Sequence, residues 1–338
     1  MSLYIYDPTV ADELSRARGV GRYLQILRAA LPEATFTASV KQIPTNAAFL
    51  NPFFDPIKPP LSLTRIAKRQ IAVIHDLIRL KYPHQFPLGL KGKLNVWLNR
   101  QALRYYDQII TDSETSKADI HKILKVDTRK ISVIYPCLSS TLGETSSLAK
   151  VPPKPYVLYV GDATWNKNLV NIARAVKLAE IRCVFVGKTI ERTVNKEWDS
   201  QYIHPEQQEL YQFCREVKDD PLFIFPPSVS DEELTGLYQN AVCNLLLSRD
   251  EGFGFSFLEA AHFSTPSILA DRPIFHEIAQ DSALFVNPED FGAIAQAIVK
   301  LVENNRLREE LGKKARARSH DFSLDKMKKE LKITLENS

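Results

Sequence analysis

Asp250-Glu251-Gly252-Phe253-Gly254-Phe255-Ser256-Phe257-Leu258-Glu259-Ala260-Ala261 is the stretch from which the rest of the chain can be read. The apolar run Asn244–Leu247 leads into it, and a helix-forming segment leads out. Gly252 and Gly254 therefore fall on a strand-to-helix turn, where glycine lets backbone approach a ligand closely. The helix that starts there offers unsatisfied N–H groups and partial positive charge, which suit a phosphate or a hydroxyl-rich group. Glu251 in the loop and Glu259 in the first helical turn bracket this place, and carboxylates accept well from vicinal hydroxyls. A second reading of Glu259 stays open. Ser256-Phe257-Leu258-Glu259 has capping-box spacing, which would occupy Glu259 with the Ser256 N–H.

Outward from this turn, short apolar runs alternate with amphipathic stretches. Strand candidates in the second half are Tyr156–Val160, Cys183–Val186, Leu222–Phe225, Val242–Leu247, Ser267–Ala270 and Ala283–Val286. In the first half they are Leu3–Tyr6, Ile71–His75, Gln108–Thr111 and Ile131–Tyr135. Between them lie helix candidates such as Gly21–Ala30, Gly92–Tyr105, Leu169–Ala179, Asp231–Gln239 and Phe291–Glu303. This alternation predicts parallel sheets covered on both faces, and 338 residues suit two such domains. Residues 139–155 are rich in Ser, Thr and Pro with no apolar period, a linker composition. The expected organisation is a first domain over 1–140, a linker over 141–155, a second domain over 156–320 and a Lys- and Glu-laced helix over 321–338. The Pro-rich segment 42–62 reads as a loop with at most one short strand. The fold class is α/β, with two doubly wound domains binding ligands beyond the carboxyl ends of their strands.

Apolar residues make up 44% and charged residues 25%, a balance that excludes a disordered or fibrous chain. The start, Met1-Ser2-Leu3-Tyr4-Ile5-Tyr6-Asp7, has no signal-peptide pattern, and no run approaches the ~18 apolar residues of a membrane span. Cys137, Cys183, Cys214 and Cys243 lie far apart with no CxxC spacing, so reduced thiols in a cytoplasmic protein are expected and no metal site. Residues 1–140 carry 20 Lys+Arg against 11 Asp+Glu, and the remainder 24 against 29. A basic half beside an acidic half is not a nucleic-acid coat, so no nucleic-acid partner is expected. It does allow peripheral contact with an anionic membrane face. Arg65, Lys68, Arg69, Lys91, Lys93, Arg100 and Arg104 interleave with Leu63, Ile66, Leu90, Leu94, Trp97 and Leu98. The alternative, preferred on sequence grounds, is a helix that turns its apolar face inward.

Three further turns carry candidate chemistry. Gly161-Asp162-Ala163-Thr164-Trp165-Asn166-Lys167-Asn168 follows Tyr156–Val160, in the first βα turn of the second domain. Phosphates bind at such turns, with Lys167 and nearby backbone N–H groups available to a diphosphate. Arg18-Gly19-Val20-Gly21-Arg22-Tyr23 is a Gly-rich turn with two cations. His75-Asp76 ends a strand, where an imidazole can bond a hydroxyl or move a proton. Each is weak alone; a solvated lysine or a structural histidine is the commoner case.

Taken in order, these segments resemble the family 4, or group 1, retaining glycosyltransferases of the GT-B fold. The family's E-x7-E element matches Glu251 through Glu259. Thr265-Pro266-Ser267-Ile268-Leu269-Ala270-Asp271 and Ser282-Ala283-Leu284-Phe285-Val286-Asn287-Pro288 resemble the segments that follow it. Gly19-Val20-Gly21-Arg22-Tyr23, His75-Asp76-Leu77 and Gly161 through Lys167-Asn168-Leu169 match further motifs. The resemblance implies two Rossmann-like domains facing across a cleft, 1–140 on the acceptor side and 156–320 binding the donor, with the helix over 321–338 crossing back to the first. It implies transfer of a hexose, of mannose or glucose type, from a nucleotide-diphosphate sugar such as GDP-mannose or a UDP-sugar to a glycan or lipid-linked acceptor in polysaccharide biosynthesis. It places Lys167 on the diphosphate, with Gly161, Asn166 and Lys188 nearby. Glu259 falls to the ribose, and Glu251 with Gly252, Phe253, Gly254 and Phe255 to the transferred sugar. His75 lies beside the sugar, and Gly19, Gly21 and Arg22 near the phosphates or acceptor. The family uses neither a metal nor another cofactor. Two residues depart from its pattern. Asp162 stands where many relatives have an Arg, and Ser264 where relatives often have Gly. Sugar-nucleotide epimerases or hydrolases, and a non-catalytic sugar-nucleotide scaffold, are the rival readings. A dehydrogenase is disfavoured, since no complete GxGxxG precedes an acidic ribose ligand.

Overall fold

The computed structural model describes residues 1–10, 19–138, 142–143, 152–198, 203, 207–227 and 229–336. The chain divides into two compact units, one of Met1–Ser139 with Phe322–Ser338 and one of Ser140–Asp321. Most of the segment read as a linker, and Arg18 of the first Gly-rich turn, lie outside the described residues.

The first unit is built on β1 (Leu3–Tyr6), β2 (Thr35–Thr37), β3 (Ala48–Asn51), β4 (Arg69–Val73), β5 (Gln108–Thr111) and β6 (Ile131–Val133). They form one sheet in the order β2-β1-β3-β4-β5-β6, every pairing parallel. Every residue of β3 and β4 is buried, as expected for central strands covered on both faces. Helices α1 (Gly19–Ala30), α2 (Ile78–Lys81), α3 (Leu90–Ala102) and α4 (Glu114–Leu124) accompany the sheet. Among the described residues α1 runs over Gly19–Ala30, so Gly19 and Gly21 lie within a helix and not in a loop.

The second unit contains β7 (Tyr156–Val160), β8 (Arg182–Val186), β9 (Phe223–Ile224), β10 (Asn244–Leu246), β11 (Ser267–Ala270) and β12 (Leu284–Val286). Their order is β12-β11-β10-β7-β8-β9, again all parallel. The helices are α5 (Leu169–Leu178), α6 (Lys188–Val194), α7 (Gln208–Val217), α8 (Asp231–Asn240), α9 (Phe255–His262), α10 (Pro273–Ala279), α11 (Phe291–Glu303) and α12 (Asn305–Ser319). The winding runs outward from β7 through β8 to β9, and outward from β10 through β11 to β12. The strand order thus reverses between β7 and β10, the place where open α/β sheets bind ligands. Val157, Tyr159, Phe185 and Leu245 share one core cluster with Ile172, Val176, Ile294 and Ile298 of α5 and α11. All four cysteines are buried and unpaired, and burial pushes the Cys137 thiol up to about 11.

The last helix, α13 (Leu324–Glu336), belongs to the first unit, where it packs on α1. Met327 and Leu331 are its buried anchors, and Arg69 of β4 donates to the Thr334 carbonyl. The ring of Phe322, just before it, meets Tyr135 edge-on at 5.6 Å.

Two backbone positions show how tightly α9 and α12 are joined. Ser264, just beyond α9, has φ 58°, a left-handed conformation that costs an L residue roughly 1–2 kcal/mol. A Cβ on Gly312 of α12 would lie 2.1 Å from the Ser264 carbonyl oxygen. Replacing Gly312 with Ala forces two backbones apart, and we expect a loss of about 3 kcal/mol or more in denaturant unfolding. Ser264→Gly relieves strain but loosens the unfolded chain, so its expected gain is ~0.5–1 kcal/mol in the same measurement.

Candidate functional site

The loops after β7 and β10 hold the residues singled out at the sequence level, at the point where strand order reverses. Strand β7 ends at Val160, and the chain runs through Gly161–Thr164 into a tight turn, Trp165–Lys167. Asn168 follows with φ 59° and ψ 36°, a conformation that asparagine tolerates better than most residues. Its side-chain amide donates to the carbonyls of Leu247 at 3.2 Å and Pro288 at 2.6 Å. The two loops are joined again by Arg249 N to Asn166 O at 2.7 Å and Asn166 Nδ2 to Asp250 O at 3.1 Å. This buried stitching fixes where the neighbouring side chains point.

Lys167 Nζ pairs with Glu251 Oε1, both side chains being largely sheltered at 20% and 12% exposure. Ser248 Oγ donates to the same carboxylate oxygen at 2.6 Å. The structure thus brings together Lys167 and Glu251, which are 84 residues apart in sequence. Tyr159 sits close by. Burial first, then the Glu251 and Asp162 carboxylates, hold its phenol well above the ordinary tyrosine range.

Gly254 is the residue before α9, with φ 131° and ψ 57°. The positive φ favours glycine, and a Cβ there would come within 2.7 Å of Ile278 Cδ1 and displace that side chain. The capping-box reading of this segment is overturned. Ser256 lies inside α9, and among the described residues its buried hydroxyl has no hydrogen-bond partner and no side chain caps the helix. Glu259 is accordingly in the second turn of α9, not the first. It is buried, and its Oε2 accepts from the Tyr238 hydroxyl at 2.7 Å. Phe253 is buried, with its ring edge-on to Phe255 at 5.5 Å.

Asp162, the departure from the family pattern, does not point loose into the loop. Its Oδ1 accepts from Thr189 Oγ1 at 2.9 Å, and the same hydroxyl accepts from Ala163 N at 2.7 Å. Thr189 lies at the start of α6, beside exposed Lys188. Gly187 completes this corner, since a Cβ on it would lie 2.0 Å from the Gly161 carbonyl oxygen.

Three supports here have no signal in the sequence. Arg249 stacks over Trp165 with its guanidinium 4.8 Å from the ring, and bonds Glu209 at 2.8 Å, Glu289 at 2.7 Å and the Trp165 carbonyl at 2.8 Å. Burial lowers its pKa, but the two glutamates more than reverse this and keep it firmly charged. Tyr238 holds Glu259, and Gly187 yields space to Gly161. Each partner is remote in sequence, and only the folded chain pairs them.

In the first unit, His75 follows β4. Its Nδ1 meets Asp112 Oδ2 at 2.6 Å and its Nε2 meets the Pro52 carbonyl at 2.9 Å. Its ring stands edge-on to Tyr23 at 4.6 Å. Burial alone lowers its pKa; Asp112, Asp76 and the Pro52 carbonyl together outweigh that and raise it above 6.5. Both ring nitrogens face acceptors, so the imidazolium donates twice. Gly21 is buried in α1 and Arg22 is half-buried on the same helix. Among the described residues, no three His, Cys, Asp or Glu side chains cluster as a metal would need.

Comparison with known proteins now has a geometry to refer to. The family model for glycosyl transferases group 1 matches residues 144–318, just over half of the chain. The O-antigen chain mannosyltransferase RfbU of Salmonella typhimurium is 29% identical over 228 residues, covering 67% of this chain and 58% of that protein. The serotype-specific mannosyltransferase WbdA of Escherichia coli is 23% identical over 247 residues, covering 67% of this chain and 29% of its own length. The chain thus spans between about a third and three fifths of these curated relatives. Among solved structures, sucrose-phosphate synthase from Thermosynechococcus elongatus superposes with a TM-score of 0.69 at 17% identity, over 98% of this chain and 97% of that one. HepE of Anabaena, solved with UDP and glucose, gives 0.68 at 14% identity over the full length of both chains. The chain belongs to the group 1 glycosyl transferases and has their GT-B fold of two Rossmann-like domains.

Proposed function

We propose that this protein is a retaining, metal-independent hexosyltransferase that moves a mannose- or glucose-type sugar from a nucleotide-diphosphate donor to a glycan or lipid-linked acceptor. Polysaccharide assembly on the cytoplasmic side of a membrane is the setting we assign it. One observation carries the reading: Lys167 and Glu251 meet where the strand order reverses, beside the N-terminus of α9. A lysine, a helix N-terminus and close-approaching glycine backbone suit a leaving diphosphate, and a carboxylate beside them suits the sugar's hydroxyls. The mannosyltransferase relatives support the choice of sugar.

In this proposal Lys167 neutralises the charge that grows on the departing diphosphate, with Gly161 and Asn166 in the same loop and Lys188 at the start of α6. Glu259, locked by Tyr238, accepts from the ribose. Glu251 and the Gly252–Phe255 backbone orient the sugar. As the diphosphate leaves, the sugar carbon gains oxocarbenium character. The acceptor hydroxyl then attacks from the same face and gives its proton to the leaving phosphate. Positioning and stabilisation of the leaving charge supply most of the acceleration. The roles of Gly19, Gly21, Arg22 and His75 are proposed on the family resemblance alone. With both nitrogens engaged, His75 is assigned a positioning role rather than that of a free base.

Donor binding is tested by thermal shift against GDP, UDP, ADP and dTDP sugars. Ligand at 100 times its Kd stabilises by ~2.7 kcal/mol, a rise of roughly 5 °C. We expect one nucleotide series to give that rise, and Lys167→Ala and Glu259→Ala to abolish it. Turnover should resist EDTA, retain the donor's anomeric configuration by NMR, and fall about 100-fold or more in Lys167→Ala. Binding without transfer to any glycan or lipid-linked acceptor would leave a scaffold instead. Donor hydrolysis that ignores acceptors would leave a hydrolase.

His75 gives a separate measurement. Its NMR titration should have a midpoint above 6.5, and Asp112→Asn should lower it. A raised pKa means that the pair's stabilisation is complete below pH 6.5 and lost as pH climbs through the raised midpoint. The stability penalty of Asp112→Asn is therefore expected to be greater at about pH 6 than at about pH 9.

A further inference from the structure

Helix α3 is inverted. An amphipathic helix at a domain surface ordinarily buries its apolar stripe and shows its polar side to water. Here Leu90, Leu94 and Trp97 are 87%, 55% and 57% exposed. At 3.6 residues per turn their spacing of four and three puts them on one face. The opposite face is turned into the domain and carries Asn95 and Asn99 beside half-buried Val96 and buried Ala102. Asn99 is buried and donates to the carbonyls of Pro56 at 3.0 Å and Lys58 at 2.7 Å, while Asn95 donates to Ile57 O at 2.8 Å. The inward-packing reading preferred from sequence is thereby overturned.

The exposed stripe is flanked by cations. Lys93 and Arg100 run along one side of it, Lys91 lies on the other, and Arg104 follows the helix; all four are exposed. From Leu77 to Tyr106 the chain has six Lys and Arg and no Asp or Glu. Two cations of the sequence-level patch drop out, since Arg65 is paired with Asp107 at 2.7 Å and Arg69 is buried. What remains is an apolar ridge with a basic border, the pattern of a helix lying in a membrane interface. A protein partner would be met by this ridge too, but a border with cations on both sides and no carboxylate in the segment selects an anionic surface. Among the described residues no helix is long and apolar enough to cross a membrane.

We propose that α3 is a membrane-docking helix, which seats Leu90, Leu94 and Trp97 among the acyl chains of an anionic phospholipid surface with Lys91, Lys93, Arg100 and Arg104 at the headgroups. The proposal goes beyond the transferase reading and does not depend on donor chemistry.

The test is co-sedimentation of the full chain with phosphatidylcholine vesicles, with and without phosphatidylglycerol. We expect binding only to the anionic vesicles, weakening as salt is raised. Each lost basic residue should weaken binding about fivefold, so Lys91→Gln with Lys93→Gln should cost about 25-fold. Leu90→Ser with Trp97→Ser should abolish binding. Both double variants change only exposed side chains, and should keep the wild-type melting temperature and donor-induced shift. This separates failure of docking from failure of the transferase reading. The proposal is overturned if the wild-type chain stays in the supernatant at low salt, if it binds zwitterionic vesicles equally, or if the variants bind like wild type. It is also overturned if size-exclusion chromatography shows a dimer that the Leu90→Ser, Trp97→Ser variant dissociates, since the ridge would then meet a second copy.

Discussion

The reversal of strand order between β7 and β10 is the constraint on which the donor-side geometry depends. Two adjacent parallel strands whose connections leave in opposite directions cannot cover their own carboxyl ends. The loops must then bridge the gap themselves. Asn168 reaches Leu247 and Pro288, Asn166 reaches Asp250, and Arg249 returns to Asn166 and Trp165. Most of these bonds use backbone carbonyls, so they set the path of the loops without consuming the reactive side chains. Lys167 and Glu251 are left to face each other.

That ion pair is sheltered enough for its electrostatics to matter. Removing one member of a buried pair costs about 3–5 kcal/mol, because the other charge is left uncompensated. In the proposed function, Glu251 serves as the counterion of Lys167 until a diphosphate arrives. A dianionic group then takes over the lysine, and Glu251 becomes available to sugar hydroxyls. The site needs no separate reserve of charge, and Ser248 continues to hold the carboxylate during the exchange. Asp162 enters the same balance. Its bond to Thr189 anchors the Gly161 loop to the start of α6, so a residue that looks repulsive in sequence has a structural task.

The second sheet was readable because its strands are buried on both faces and form unbroken apolar runs. Tyr156–Val160 and Ser267–Ala270 were located to the residue, and both glycine-rich turns fell where the strands end. Thr35–Thr37 escaped notice because it is only three residues long. Ala48–Asn51 is the short strand allowed for within 42–62, and it was not located because that Pro-rich segment has no period-two alternation. The capping-box spacing at Ser256–Glu259 misled because spacing does not say where a helix begins; Gly254, with its positive φ, decided that. Charge partners such as Glu209 and Glu289 for Arg249, or Asp112 for His75, are joined only by tertiary contact, and no local pattern announces them.

Helix α3 misled for a different reason, and the reason is informative. Periodicity reports that a helix has an apolar face, but not which side of it the domain takes. Ordinarily the hydrophobic effect decides, since burying a Leu or Trp side chain is worth about 1.5–3 kcal/mol. In α3 that gain is forgone at three positions, while the two N–H groups of the Asn99 amide are taken up by the Pro56 and Lys58 carbonyls. Hydrogen bonds of this kind contribute ~1 kcal/mol each in net terms, enough to hold the helix but not to explain the choice of side. The outward ridge is therefore not a product of the domain's own folding energy. Its hydrophobic gain is still unrealised in the isolated chain, and an apolar surface bordered by positive charge realises it best against anionic lipid.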